Sequence, residues 1–143
     1  MFVSRNDYYL TPIKEGKTVS RYSPQKELII SILEGTTAHP SAASVYEKAR
    51  EKMPNISLGT VYRNLMNLSK EGTIQNFSFG DISHFDGNAA PHPHFCCTSC
   101  GQVSDLKCDF SKIVGLTEGL DGCSITGETL LFSGLCRDCL AKN

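Results

Sequence analysis

Apolar residues recur every three or four positions from residue 23 to about residue 72, then give way to short strand-like runs, which predicts helices followed by strands. In SPQKELIISILEG, Ser23 is the expected N-cap and Pro24 the first helical residue. Leu28, Ile29, Ile32 and Leu33 supply the apolar face of that helix, and Gly35 is its stop. A second helix is expected after Ser41, with Ala42, Val45, Tyr46 and Ala49 on its inner face and Pro54 beyond its end. A third carries Leu58, Val61, Leu65 and Leu68 on one stripe and closes at Gly72. TIQNFSF and ISHFD then read as two strands joined by Gly80-Asp81, a two-residue hairpin loop.

Three helices and a hairpin form the order of a winged helix-turn-helix, so residues 1–86 are expected to be a DNA-binding domain of that kind. GNAAP, residues 87–91, is small and flexible in composition and is read as a hinge. In residues 92–143, HPHFCCTSCGQVSDLKC reads as strand, Cys-rich turn and strand. DFSKIVGLTEGL reads as a helix with Ile113, Val114 and Leu116 apolar, and CSITGETLLFSGLC as a longer strand. The expected class is α+β, with a small C-terminal α/β domain.

At 143 residues, each half is too small for a generous core, and a covalent or metal staple is expected. The 40% hydrophobic and 20% charged composition is that of a globular chain, with no apolar run near the roughly 18 residues of a membrane span. The polar N-terminus lacks a signal-peptide core, which predicts an intracellular, cytoplasmic protein with no membrane partner. Seven cysteines in that compartment point to metal ligation rather than a disulfide framework. Residues 1–80 carry ten Lys/Arg against seven Asp/Glu, and residues 81–143 four against eight, so the front half is the one suited to an anionic partner.

Cys97, Cys100, Cys136 and Cys139 form two CxxC pairs separated by 35 residues. Each turn aims two thiolates at one point, and two turns complete a tetrahedral structural Zn(II) site. The rival reading is a redox CxxC, which would want a βαβ context that the pattern lacks. Cys96, Cys108 and Cys123 fall outside the pairs and read as small apolar residues. His92 and His94 lie two apart between prolines, an extended arrangement that puts both rings on one face. With Asp86 and Asp105 they make a harder donor set, suited to Fe(II), Mn(II) or a second Zn(II). His84 is a rival ligand, sharing a strand face with Asp86. Asp81 and Asp109 read as turn and cap residues. Spacing alone leaves His39 a surface or capping histidine.

SPQKELIISIL, AHPSAASVYEKAREKMPNISLGTVYRNLMNLSKEG, HFD, HPHFCCTSCGQVSDL and CRDC follow one another as in the ferric uptake regulator family, which the chain resembles over most of its length. The resemblance implies a winged helix joined to a dimerisation domain. It also implies that His39, Asp86, His92, His94 and Asp105 are the regulatory ligands of the peroxide-responsive branch, with the four paired cysteines holding zinc. Asp86, where iron-sensing relatives commonly carry glutamate, points to that branch. Lys26 stands where many relatives have arginine, and PHPH is more proline-bound than the usual motif.

On the third helix, Ser57, Gly59, Thr60, Arg63, Asn64 and Asn67 lie on the side away from the apolar stripe and Tyr62 at its edge, as base-edge, phosphate and thymine-methyl contacts in a major groove would. Lys14, Lys17, Arg21 and Lys26 would add phosphate contacts. A homodimer would present two such helices to a palindromic operator. Five ligands around Fe(II) leave a position open to peroxide, whose reduction there is expected to oxidise His39 or His92 and release metal and DNA. Two alternatives stand beside this: an iron or zinc uptake repressor responding to metal level only, and a non-haem iron enzyme, for which no residue set supplies a substrate pocket with its own acid or base.

Overall fold

A computed structural model describes residues 23–109, 112 and 129–142 of the chain. Its first three elements are α1 (Pro24–Glu34), α2 (Ala42–Lys52) and α3 (Leu58–Lys70). Each opens on a serine whose side chain accepts from a backbone N–H three residues on: Ser23 from Lys26, Ser41 from Ser44, Ser57 from Thr60. Ile29, Leu33, Val45, Ala49, Val61, Leu65 and Leu68 are all but inaccessible to solvent and form one core with Ile74 and Phe85. Leu58 departs from the stripe expected of it, being 47% exposed. It has the right azimuth but stands at the first helical position, and azimuth alone does not bring another element over a side chain.

β1 (Gln75–Phe79) and β2 (Ile82–Asp86) pair antiparallel with Phe79 opposite Ile82. Gly80, at φ 59, takes the positive angle at the first position of the two-residue loop. The second sheet contains β3 (His94–Cys97), flanked by β4 (Val103–Asp105) antiparallel and β5 (Leu131–Gly134) parallel, in the order β4-β3-β5. The turn α4 (Arg137–Leu140) follows. The helix expected over DFSKIVGLTEGL, Cys123, the front of the last strand and the basic residues before Ser23 lie outside the described residues.

Residues 87–91 contain neither helix nor strand, yet they lie close against the helices. A Cβ on Gly87 would come within 3.1 Å of the Leu33 carbonyl carbon and 3.2 Å of the Glu34 nitrogen. The Gln75 amide donates to the carbonyls of Asn88 (2.8 Å) and Ala90 (2.6 Å). Phe77 of the hairpin packs with Cys96 and Val103 of the second sheet, so a small apolar cluster spans the two halves. Among the described residues no helix is long and apolar enough to cross a membrane.

Candidate metal centres

Cys97 ends β3, Cys100 closes the turn after it, Cys136 precedes α4 and Cys139 lies within it. Their sulfurs all fall within 4.8 Å of one another, with Cys100 Sγ and Cys136 Sγ 3.8 Å apart. Zinc–thiolate bonds of about 2.3 Å give a tetrahedral edge of about 3.8 Å, so the donors fit the ion. Thr98 locks the turn to the β5 end, its N–H 2.7 Å from the Gly134 carbonyl. Backbone N–H groups of Cys100 and Cys136 hold the Cys97 thiol down to about 6. The Ser99 hydroxyl works to lower Cys139, but the Cys136, Cys97 and Cys100 sulfurs, with desolvation, push it up to about 12. Four thiolates at this spacing repel one another unless a cation lies between them. Cys96 is buried as a small apolar side chain, whereas Cys108 is exposed: it follows β4 in irregular chain that nothing described covers.

The second donor set draws on four places. His39 comes from the α1–α2 loop, Asp86 from the end of β2, His92 and His94 from the approach to β3 and its first residue, and Asp105 from β4, where it pairs with His94. One donor atom from each lies within 4.8 Å of all the others. His39 Nε2 is 2.8 Å from Asp105 Oδ1 and 3.4 Å from Asp86 Oδ2. His92 Nε2 lies 3.0 Å from Asp86 Oδ2 and 2.9 Å from Asp105 Oδ1, while His94 Nε2 is 3.3 Å from Asp86. Metal–nitrogen and metal–oxygen bonds of about 2.1 Å place neighbouring donors about 3.0 Å apart, which these contacts match.

Two details favour a cation between the donors. His39 Nε2 is buried and close to both carboxylates, yet it makes no aligned hydrogen bond, so its ring is aimed at the space between them rather than at either oxygen. His92 Nδ1 lies 2.8 Å from the Ala90 carbonyl, which can only accept. With Nδ1 turned to that carbonyl, Nε2 faces Asp86 and Asp105, and in a neutral ring its lone pair is free to ligate a cation lying between them. Burial works to lower the His39 pKa, but Asp86 and Asp105 overcome it and leave the value raised. Burial works to raise Asp86, and His39, His94 and the Asn88 N–H hold it well below the carboxylate range. A cavity of about 340 Å³, lined by Thr36, Thr37 and Asn88, opens onto Asp86 and Asp105.

The expected donors are thus brought together, His39 included, while His84 stays outside them with Nδ1 2.9 Å from the His39 carbonyl. Gln75, Phe77 and Asn88 support the site without any sequence signal that marks them, since their roles arise from strand pairing and chain reversal. On α3, Tyr62 and Arg63 are exposed. Asn64 donates to the Thr60 carbonyl (2.9 Å), and Ser57 is occupied as the cap. Lys26 Nζ is 2.6 Å from Glu71 Oε2, a pairing that competes with any phosphate.

The model of the ferric uptake regulator family matches residues 17–121. The peroxide operon regulator of Bacillus subtilis is 31% identical over 135 residues, covering 93% of this chain and 92% of that protein. The crystal structure of the Campylobacter jejuni peroxide stress regulator is similar at a TM-score of 0.68 and 28% identity, over 81% of this chain and 89% of that one. The Helicobacter pylori ferric uptake regulator Fur shares the fold at a TM-score of 0.72 and 21% identity, over 84% of this chain and 82% of its own.

Proposed function

Since the chain belongs to the ferric uptake regulator family, we propose that it is a metal-dependent transcriptional repressor that grips palindromic DNA as a homodimer when loaded and releases it when peroxide oxidises a ligand histidine. Members of the family are regulators, which displaces the enzyme alternative. The sequence relative at 31% identity and the structural relative at 28% are named as peroxide regulators, which favours peroxide over metal level as the signal.

The observation that carries the reading is the convergence of five donors from both sides of residues 87–91 on one point. In this reading residues 1–86 are the DNA-binding domain, 87–91 the hinge and 92–143 the dimerisation and zinc-binding domain. Cys97, Cys100, Cys136 and Cys139 hold structural Zn(II). His39, Asp86, His92, His94 and Asp105 hold Fe(II) or Mn(II). When bound, ferrous iron supplies one-electron reduction of peroxide, which manganese does not. His39 and His92 present the oxidisable imidazoles, Asp86 and Asp105 neutralise the cation, and the cavity beside them admits a small polar oxidant. His39 and His94 are closed off from water. Ser57, Thr60, Tyr62, Arg63 and Asn64 face the groove, with Lys26 reaching a phosphate by exchanging Glu71 for it.

Because His39 belongs to the helical half and Asp105 to the second sheet, a filled site restricts the angle at which each reading helix is presented. A cation at 100 times its dissociation constant favours the filled arrangement by about 2.7 kcal/mol per site, and two sites in a dimer act together. The test is fluorescence anisotropy on a palindromic duplex, with and without Mn(II) and with the zinc intact. Tightening by two or more orders of magnitude is expected; equal affinity would sink the reading. Mass analysis of the peroxide-treated iron form should find one added oxygen on the His39 or His92 peptide. Retention of the DNA with no added oxygen would instead mark a repressor that senses metal level only.

A further inference from the structure

His39 is the one donor supplied by the helical segment before the hairpin, and its backbone sits at φ 48, the only positive φ at a non-glycine residue among those described. A residue with a Cβ persists in that region only where its surroundings hold it. The residues after it are fastened to β2: the Phe85 N–H donates to the Pro40 carbonyl (3.0 Å), and Ser41 bridges to His84. The His39 carbonyl is taken by a side chain. His84 Nδ1 lies 2.9 Å from it, and because a carbonyl only accepts, that nitrogen carries the proton. The His84 ring is itself fixed, buried and stacked on Phe77 at 5.8 Å and 20°. Phe77 stacks in turn on His94 at 4.2 Å and 27° and approaches His39 at 5.9 Å.

We propose that His84 is a positioning residue for the regulatory cation: its Nδ1–H, held in place by the stack on Phe77, fixes the His39 carbonyl and thereby aims the His39 imidazole at Asp86 and Asp105. The inference rests on the metal-site reading above and goes beyond it, since His84 ligates nothing. It ties the presentation of His39 to the hairpin strand that also carries Asp86, so the two ligands move as one unit.

Three measurements on the full-length zinc-loaded protein test it. The ¹⁵N shifts of the His84 ring in the protein without regulatory metal should show a protonated Nδ1; a proton on Nε2 alone overturns the proposal. Co(II) titration, followed by its ligand-field spectrum, should give His84→Gln, whose amide nitrogen falls at the ε position, about 10- to 100-fold weaker binding with an altered spectrum. His84→Asn, whose amide nitrogen falls where Nδ1 was, should recover affinity to within about threefold, as the geometry of the retained donor implies. Both variants lose the ring and its stack on Phe77 and differ in where the amide nitrogen falls, and zinc content with the melting temperature of the metal-free form checks that each folds. Gln and Asn variants that bind alike, or a Gln variant indistinguishable from wild type, overturn the positioning role. Wild-type protein that takes up no Co(II) beyond its zinc overturns the metal-site reading, and this role with it.

Discussion

Asp86 faces three imidazole nitrogens within 3.4 Å, and Asp105 stands across from it, so the protonation of His39 and the loading of the site are competing events. The raised His39 pKa means that the folded chain holds a proton there more tightly than a free imidazole does, so loading competes with that proton. Mn(II) affinity is therefore expected to rise with pH through the neutral range and level off above the His39 value, which titrations monitored by electron paramagnetic resonance would follow. The metal-free form follows the opposite sign. Stability from His39 is complete below its ordinary 6.5 and is lost as pH rises through the raised value, while stability from Asp86 is complete above its ordinary 3.8 and is lost as pH falls through the depressed one. Both contributions are whole between those limits. The metal-free protein should melt higher at pH 6 than at pH 8.5, and saturating Mn(II) should reverse that order; a flat profile in calorimetry would remove the carboxylates' role. Of the five donors, His92 and His94 announce themselves by their spacing, whereas His39 does not, because a lone His-Pro carries no record of what it will meet some fifty residues on.

At the scale of elements, the serine caps, apolar stripes and Gly80-Asp81 loop are local chemistry, and α1 to α3 and the hairpin lie where that chemistry puts them. Residues 87–91 behave differently. Their composition reads as a loose hinge, yet Gly87 meets the backbone of α1's last turn and Gln75 clips Asn88 and Ala90 to β1. Closeness of backbone to backbone leaves no flexible side chain to give way. Gly87→Ala should push the α1 end from the segment carrying Asp86, destabilising the loaded arrangement by about 1–3 kcal/mol, as overpacking does elsewhere. Mn(II) affinity should fall by roughly one to two orders of magnitude with zinc content unchanged; an unaltered affinity by isothermal titration would mean the close approach is idle. Leu58 shows the reverse limit, a stripe residue left 47% exposed because periodicity specifies a face but not what covers it.

For the whole molecule, the two donor sets differ in softness, and in the proposed reading one holds its cation permanently while the other exchanges it. Thiolates suit zinc and hold it through folding, on the order of 10 kcal/mol for such sites, while imidazole and carboxylate suit a metal that exchanges. A mild chelator should strip DNA binding and leave a folded dimer, and only a stronger chelator under denaturing conditions should take the zinc and abolish the second sheet. Circular dichroism and sedimentation during stepwise chelation read both events, and simultaneous loss would refute the division. Element order, the two CxxC turns and the split between soft and hard donors follow from the chain alone, because caps, periodicity and ligand spacing act over a few residues. Only the folded molecule decides that His39 reaches Asp105, that His84 meets the His39 carbonyl and lies outside the donor cluster, and that the expected hinge lies against α1. Those outcomes depend on where distant backbones meet, a long-range quantity that no local pattern encodes.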